Sequence, residues 1–298
     1  MKVNKLLYVA GALPRRLFQK KRCPSCNAFS SERVDRKGFH ELRRCASCAL
    51  LYRWPCESSA EMERYYQRQY SQSGLTTELP DSRGLEELLS TGFKGSEKDF
   101  SRVIELFRAL QVPKGSRIID YGANWGYGVW QFREAGYDAV GFELSRSRAH
   151  FGKKLGIDIL TDWRSVTGDG LVDVIFSSHV LEHTSDPAAA LREQLAALRP
   201  NGWLVALFPN GSEPFRRAHP DAFHHLWGQV HPVMLNDVFA RAILGDQVVY
   251  TGTLEPGYLA NTCTLSELNN EVGDLSGSEM LLLARKRPGS ADLRQEIQ

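Results

Sequence analysis

Long apolar runs are scarce in this chain. The apolar stretch nearest its start, Leu6 to Leu13, is far shorter than the roughly 20 residues a membrane-spanning helix needs. Nor is this stretch expected to act as a secretory signal, because a basic block follows it where a longer apolar region and a small-residue cleavage site would be required. Charge of one sign is lacking too: the formal net charge is +2, so affinity for bulk polyanions does not follow from composition. Only Cys56 and Cys263 of the six cysteines stand outside a paired pattern, and the sequence reads as an intracellular, cytoplasmic protein rather than a disulfide scaffold. With 298 residues the chain can bury a substantial core and is expected to hold one large domain and one small one.

Acids are absent from residues 1–22, which carry Lys2, Lys5, Arg15, Arg16, Lys20, Lys21 and Arg22. Val3, Leu6, Leu7, Ala10, Leu13, Leu17 and Phe18 recur between them at helical spacing. Such an arm can rest on an anionic membrane face, although Gly11 and Pro14 weaken the helix and a docked or solvated terminal helix explains the same pattern.

What the chain does contain is a glycine-rich turn, Arg117-Ile-Ile-Asp-Tyr-Gly-Ala-Asn-Trp-Gly-Tyr-Gly128. Ile118 and Ile119 read as a buried strand ending in Asp120, and the glycines turn the chain sharply into a helix. The free N–H groups of a helix start favour small polar ligands. Glu143 ends the next strand 21 residues after Gly122, the separation at which a carboxylate accepts from a ribose diol. The loop is not G-x-G-x-x-G, so hydride transfer with a nicotinamide is the weaker reading.

Strand and helix signals alternate downstream. Ser96 is the expected N-cap of a helix carrying Phe100, Val103, Ile104, Phe107 and Leu110; strands are expected at 139–142, 158–160, 171–176 and 203–208, with 248–251 and 280–284 last. A helix runs from Pro187 with Leu191, Leu195 and Leu198 on one face, up to Pro200-Asn201-Gly202. This alternation predicts an α/β fold: a doubly wound, mostly parallel seven-stranded sheet with its ligand at the carboxyl ends of the strands. Ala60 to Gln72 reads as a short helix whose Tyr65, Tyr66 and Tyr70 pack on a neighbour more readily than they line an entrance, and 71–95 reads as a linker.

Cys23-Pro-Ser-Cys26 and Cys45-Ala-Ser-Cys48 stand 18 residues apart, the spacing of a closed, structural zinc site. The polar stretch between them makes a poor core, so metal removal is expected to unfold this ribbon. The expected layout is a basic arm at 1–22, a ribbon at 23–56, a helix and linker at 57–95, a catalytic domain at 96–287 and a tail at 288–298.

Taken together, Asp120 with its glycine loop, Glu143, Val172–Phe176 leading into His179-Val-Leu-Glu-His183, Leu198-Arg-Pro-Asn-Gly202 and Phe208-Pro-Asn210 resemble the class I S-adenosylmethionine-dependent methyltransferases. One departure is Asn124, where that family usually has a glycine. The resemblance implies that the loop residues Asp120, Gly122, Ala123, Asn124 and Gly126 hold the cofactor's amino acid part, Glu143 its ribose, and Asp162 with Trp163 its adenine edge, with Leu144 and Ser178 also expected at the cofactor. Methyl transfer to a hydroxyl also needs a proton acceptor, for which His231 is the first choice, ahead of His179, His183, His224 and His225. The cysteine-rich start also resembles the sugar C-methyltransferases, but Val230 replaces the glutamate of their Glu-His pair and turns the expectation to oxygen or nitrogen. The expected acceptor is a sugar, glycan or related small molecule, lipid-linked if the arm lies on the inner membrane face. A nucleic-acid acceptor is less favoured, because Ser177-Ser-His-Val180 stands where exocyclic-amine enzymes carry Asn/Asp-Pro-Pro-aromatic. A cofactor-fold binding module without catalysis is the remaining alternative.

Overall fold

The computed structural model describes residues 15–58, 61–62, 78–167, 171–254 and 269–288. The tyrosine-bearing part of the expected connecting helix, Cys263, most of the basic arm and nearly all of the expected tail lie outside the described residues.

A small sheet comes first. β1 (Ser31–Lys37), β2 (His40–Cys45) and β3 (Leu51–Trp54) form an antiparallel meander. The large sheet follows with β4 (Arg117–Tyr121), β5 (Asp138–Phe142), β6 (Ile159–Leu160), β7 (Val172–Ser178) and β8 (Leu198–Pro209). β9 (Val233–Met234) then returns to the small sheet and pairs with β3, Leu51 opposite Met234 and Tyr52 opposite Val233. β10 (Val248–Gly252), β11 (Glu271–Val272) and β12 (Glu279–Arg285) complete the large sheet, in the order β11-β10-β12-β8-β7-β4-β5-β6.

β4 to β8 run parallel because helices cross over between them, whereas β12 is antiparallel to both β8 and β10. Eight strands replace the expected seven. The extra one is the two-residue β11, which pairs with the edge strand β10 through Tyr250–Glu271 and Thr251–Val272. It carries no apolar run that a pattern search would register.

Successive residues of β7 point to opposite faces. Ile175 joins Ile119, Leu191, Leu204 and Phe239 in one core layer, and Val174 and Phe176 join Phe107, Phe132 and Val205 in the other. Each such fully buried side chain contributes ~1.5–3 kcal/mol. The helix Pro187–Ala197 starts where Asp186 accepts from Ala188 and Ala189 N–H, with proline in the first turn. It ends one residue before the expected Leu198, which already opens β8; the Arg199–Gly202 bulge then precedes regular pairing from Trp203.

Two further expectations differ from the structure. The helix beside the sheet is Ser101–Ala109, and its N-terminal N–H goes to the Asp99 carboxylate; Ser96 instead closes the preceding turn. Within the expected linker, Ser82–Ser90 is a helix capped by Asp81, whose side chain accepts from Gly84 N–H. Leu85 and Phe93 of this segment pack on Trp125 and Phe151, so it forms a wall beside the glycine loop.

The cysteine module does not stand apart. Leu42 and Leu51 are buried against Phe215, Phe223, Trp227 and Met234 from the chain after β8. Asp35 accepts from Trp227 Nε1 at 2.7 Å and pairs with His224 Nδ1 at 2.8 Å. Of the basic arm's described part, Arg15 pairs with Glu61 at 2.5 Å, Arg16 with Glu41 at 3.2 Å, and Lys21 lies over the Trp54 ring, while Leu17 and Phe18 are exposed at 75% and 84%. Among the described residues no helix is long and apolar enough to cross a membrane.

Candidate active site

The glycine loop leaves β4 at its carboxyl end and doubles over β5. Gly122 and Ala123 both donate to the Phe142 carbonyl, at 2.8 and 2.9 Å, which pins the turn against the neighbouring strand. Gly122 has φ +86°, and a Cβ there would lie 2.2 Å from Val180 Cγ2. Both backbone sign and space therefore demand glycine. Gly122→Ala is expected to cost ~2–4 kcal/mol of stability and to abolish ligand binding at this loop; pairing it with Val180→Ala removes the clash but not the strain, so thermal melts should show partial recovery.

Asn124 also has positive φ, +52°. Asparagine is the side chain that tolerates that region best after glycine, which explains how it replaces the family's glycine here. Its amide oxygen accepts from Arg148 Nη1 at 2.6 Å, a buried contact that sequence reading missed. The Asn124 N–H donates to Glu143 Oε2 at 3.0 Å, and Ser145 N–H donates to Oε1 at 2.8 Å. An ionised carboxylate offers about four acceptor sites, and the N–H groups of Asn124, Ser145 and Leu144 do not fill them all.

Burial raises the Glu143 carboxyl above the usual range despite these N–H groups and Arg148. Asp120 is buried too and pushed up to about 8, first by loss of water and then by the charge of Glu143. Two buried acids at one turn favour a cationic ligand. The sign for stability is also fixed. A folded-state pKa raised above the unfolded one favours folding below pH ~4, and that contribution is lost as pH rises through about 8. Asp120→Asn is therefore expected to raise the melting temperature at pH 8 by about 3 °C or more, with little gain at pH 4, while weakening cofactor binding.

The remaining residues expected around this turn are dispersed. Trp163 packs edge-on against Tyr121 and Phe142, at ring separations of 5.1 and 5.3 Å, and forms an aromatic wall beside the end of β5. Asp162 instead caps the short helix Trp163–Thr167, accepting from Arg164 N–H and Ser165 Oγ. Leu144 is 59% exposed, and Ser178 ends β7 next to the loop. Val180 reaches over Gly122, although nothing in the sequence singled it out.

The histidines divide by environment. His179 pairs with Glu279 Oε1 at 2.6 Å and lies 3.2 Å from Glu182 Oε1. Burial lowers its pKa, but the two carboxylates outweigh that and lift it to about 10. A protonated imidazole makes a poor base, so the structure argues against His179 in that role. His183 and His231 lie ring to ring at 4.8 Å. Burial lowers the His183 pKa and keeps it neutral beside the fully buried Glu182. His224 is tied to Asp35 and His225 is exposed, both on the helix Pro220–Leu226.

The four cysteines meet at one point. Cys23 and Cys48 sulfurs lie 3.6 Å apart, Cys26 and Cys45 3.4 Å, and all four fall within 4.8 Å. Tetrahedral zinc with bonds of about 2.3 Å sets its sulfurs ~3.8 Å apart, so the donor set fits that ion. Both knuckles are built alike: Asn27 N–H returns to Cys23 O and Ala49 N–H to Cys45 O, each at 3.0 Å, with φ of +60° and +62°.

Residues 96–242 match the family model of a methyltransferase domain. The match spans 147 of the 298 residues. An uncharacterized methyltransferase of Mycobacterium sp. (strain KMS) is 31% identical over 132 residues, 42% of this chain and 52% of that protein. A ubiquinone biosynthesis O-methyltransferase of Bordetella avium (strain 197N) is 27% identical over 109 residues, 34% and 44% of the two chains. The chain thus spans about half the length of the curated relatives it matches. The crystal structure of magnesium protoporphyrin IX methyltransferase from Synechocystis PCC 6803 with bound SAH superposes with a TM-score of 0.52 at 13% identity, over 78% of this chain and 100% of that one. The fold is shared. Within residues 96–242, the glycine loop, Glu143 and Val180 converge at the carboxyl ends of β4, β5 and β7.

Proposed function

We propose that the protein is an S-adenosylmethionine-dependent methyltransferase acting on an oxygen or nitrogen of a sugar, glycan or related small molecule. The observation that carries this reading is the Glu143 carboxylate, held by the N–H groups of Asn124 and Ser145 at the mouth of the Gly122 turn. The acceptor capacity left on Glu143 suits a ribose hydroxyl, Trp163 adds an aromatic wall for a purine, and the paired acids Asp120 and Glu143 suit a cationic amino acid and sulfonium. That cofactor supplies an activated methyl group. The chain's tasks are to align the acceptor and to take up its proton.

Proton uptake falls to the His183–His231 pair, with His231 foremost. His231 Nδ1 donates to Leu226 O at 2.7 Å, which leaves Nε2 able to accept. His231→Ala should lower turnover by ~100-fold or more with cofactor affinity unchanged; unaltered turnover would remove it from the mechanism.

The four-cysteine cluster is read as a structural zinc site, on its donor chemistry and sulfur spacing. The exposed Leu17 and Phe18 beside basic residues support peripheral contact with the inner membrane face and a lipid-linked acceptor on the cytoplasmic side. The test is incubation with methyl-labelled cofactor and fractionated cell extract. Label in a glycan, glycolipid or other small molecule is expected. Label recovered only in RNA or protein would overturn the acceptor class, and no cofactor binding at millimolar concentration by calorimetry would overturn the enzymatic reading itself.

A further inference from the structure

One cluster on the loop after β7 is built as a ligand set rather than as a surface ion pair. Glu182 is 0% exposed; His179 Nδ1 lies 3.2 Å from its Oε1, and Oε2 has no hydrogen-bond partner among the described residues. A carboxylate so placed is costly unless cations or donors meet both oxygens, and His179 meets only one of them. A ring nitrogen of His183, one of His231 and an oxygen of Glu182 lie within 4.8 Å of one another, and His183 Nε2 is 3.9 Å from Glu182 Oε1.

Both imidazoles are oriented by their backs. His183 Nδ1 is 2.6 Å from Val230 O and His231 Nδ1 is 2.7 Å from Leu226 O. A carbonyl can only accept, so each Nδ1 carries the proton and each Nε2 keeps its lone pair. Carbonyls holding the far nitrogen are the usual support behind a metal-ligating histidine. The two rings meet at 57°, so their faces are not stacked against each other.

We propose that Glu182, His183 and His231 form a second metal site, distinct from the four cysteines, for a divalent transition-metal ion of the zinc or cobalt(II) type. Two imidazoles and a carboxylate are the donors such ions accept, with coordination positions left for an oxygen of the acceptor. Bonds of about 2.0–2.2 Å draw the three donors together by ~1 Å, which the half-buried His231 can supply because it lies in the short connection before β9. His179, 3.2 Å from Glu182 Oε1, is the competing cation, and its ion pair with Glu182 is the alternative occupant of the cluster. The Nε2 lone pair of His231 serves as ligand or as base but not both, so a bound ion and the proton uptake proposed above are alternative uses of that residue, and the ion's presence does not rest on that function.

The full-length protein is loaded with cobalt(II) or zinc, freed of excess by gel filtration and measured for metal content. Two equivalents are expected. Glu182→Gln and His231→Ala should each retain one, and Cys45→Ser should lose the other. With cobalt, the intense thiolate charge-transfer absorption should persist in Glu182→Gln while the weaker nitrogen–oxygen band disappears, which also shows that the variant has kept its cysteine site. The second equivalent should bind at least ~100-fold more weakly in His231→Ala. A single equivalent in the wild type, decided without any variant, overturns the proposal. So does a second equivalent that survives both Glu182→Gln and His231→Ala. Because uptake is read on the protein alone, a failure of labelled methyl to reach any acceptor would strike the function and leave this site standing.

Discussion

Glu143→Ala is expected to weaken S-adenosylmethionine binding by ~100-fold or more, the largest single effect on the cofactor side. Three losses coincide. The Asn124 and Ser145 N–H groups, now 3.0 and 2.8 Å from carboxylate oxygens, are left without their acceptor. A hydrogen bond to a charged group contributes ~1.5–3 kcal/mol, and an orphaned buried donor costs a similar amount, so the loop should loosen as well as lose affinity. The third loss is the ribose contact itself. Glu143→Gln separates these terms, since its amide oxygen can still serve one of the two N–H groups. Calorimetry should rank wild type above Glu143→Gln above Glu143→Ala. Glu143 also helps hold Asp120 up to about 8, so its removal lets Asp120 ionise at lower pH. The alanine variant should therefore melt with a weaker dependence on pH between 4 and 8, which a defect in packing alone would not produce. Equal cofactor affinity in wild type and Glu143→Ala would sink the cradle.

Much of this cradle was legible in the sequence because its signals are local. Ile118 and Ile119 followed by a glycine turn, and an acid one strand later, are short-range patterns with one geometric solution. The unread parts are contacts between distant segments. Val180 over Gly122 joins loops of two neighbouring strands, and Arg148 on Asn124 depends on which face of a short helix turns inward. Neither has a pattern of its own. The same holds for β11, whose two exposed residues gain strand geometry only from the adjacent edge of β10. His179 shows a different failure: its residue type suits a base, but Glu279, 100 residues away in the chain, sits 2.6 Å from its ring and fixes the charge. Residue type names candidates; the partners decide among them.

The cysteine module tests that lesson at the largest scale. From the sequence, its polar stretch promised a unit held by metal alone, which chelation would unfold. The structure instead makes it three strands of a shared four-stranded sheet. β3 pairs with β9, Arg53 N–H donates to Pro232 O at 2.7 Å, and Asn236 Nδ2 donates to Ala49 O at 2.9 Å while Asn236 Oδ1 caps the helix Asp237–Leu244. Ala49 closes the second knuckle, so slackening at Cys45 and Cys48 passes to that cap and to β9, and His231 lies just before β9. Chelation, or Cys45→Ser, is accordingly expected to abolish turnover while much of the hairpin stays collapsed on Phe215, Phe223 and Trp227. In isolated zinc-finger peptides the metal contributes ~10–16 kcal/mol of folding free energy; here the apolar contact offsets part of that loss, so the expected fall in melting temperature is several degrees rather than complete unfolding. Tryptophan fluorescence, to which Trp54 and Trp227 contribute among six tryptophans, should change together with activity and ahead of the main melting transition. Cys56→Ser, at a thiol that accepts from Gln19 Nε2, should leave metal content intact. Retention of full turnover after complete removal of metal from the four cysteines would show that the sheet alone positions the 227–233 segment, and the metal would then have no part in shaping the acceptor side.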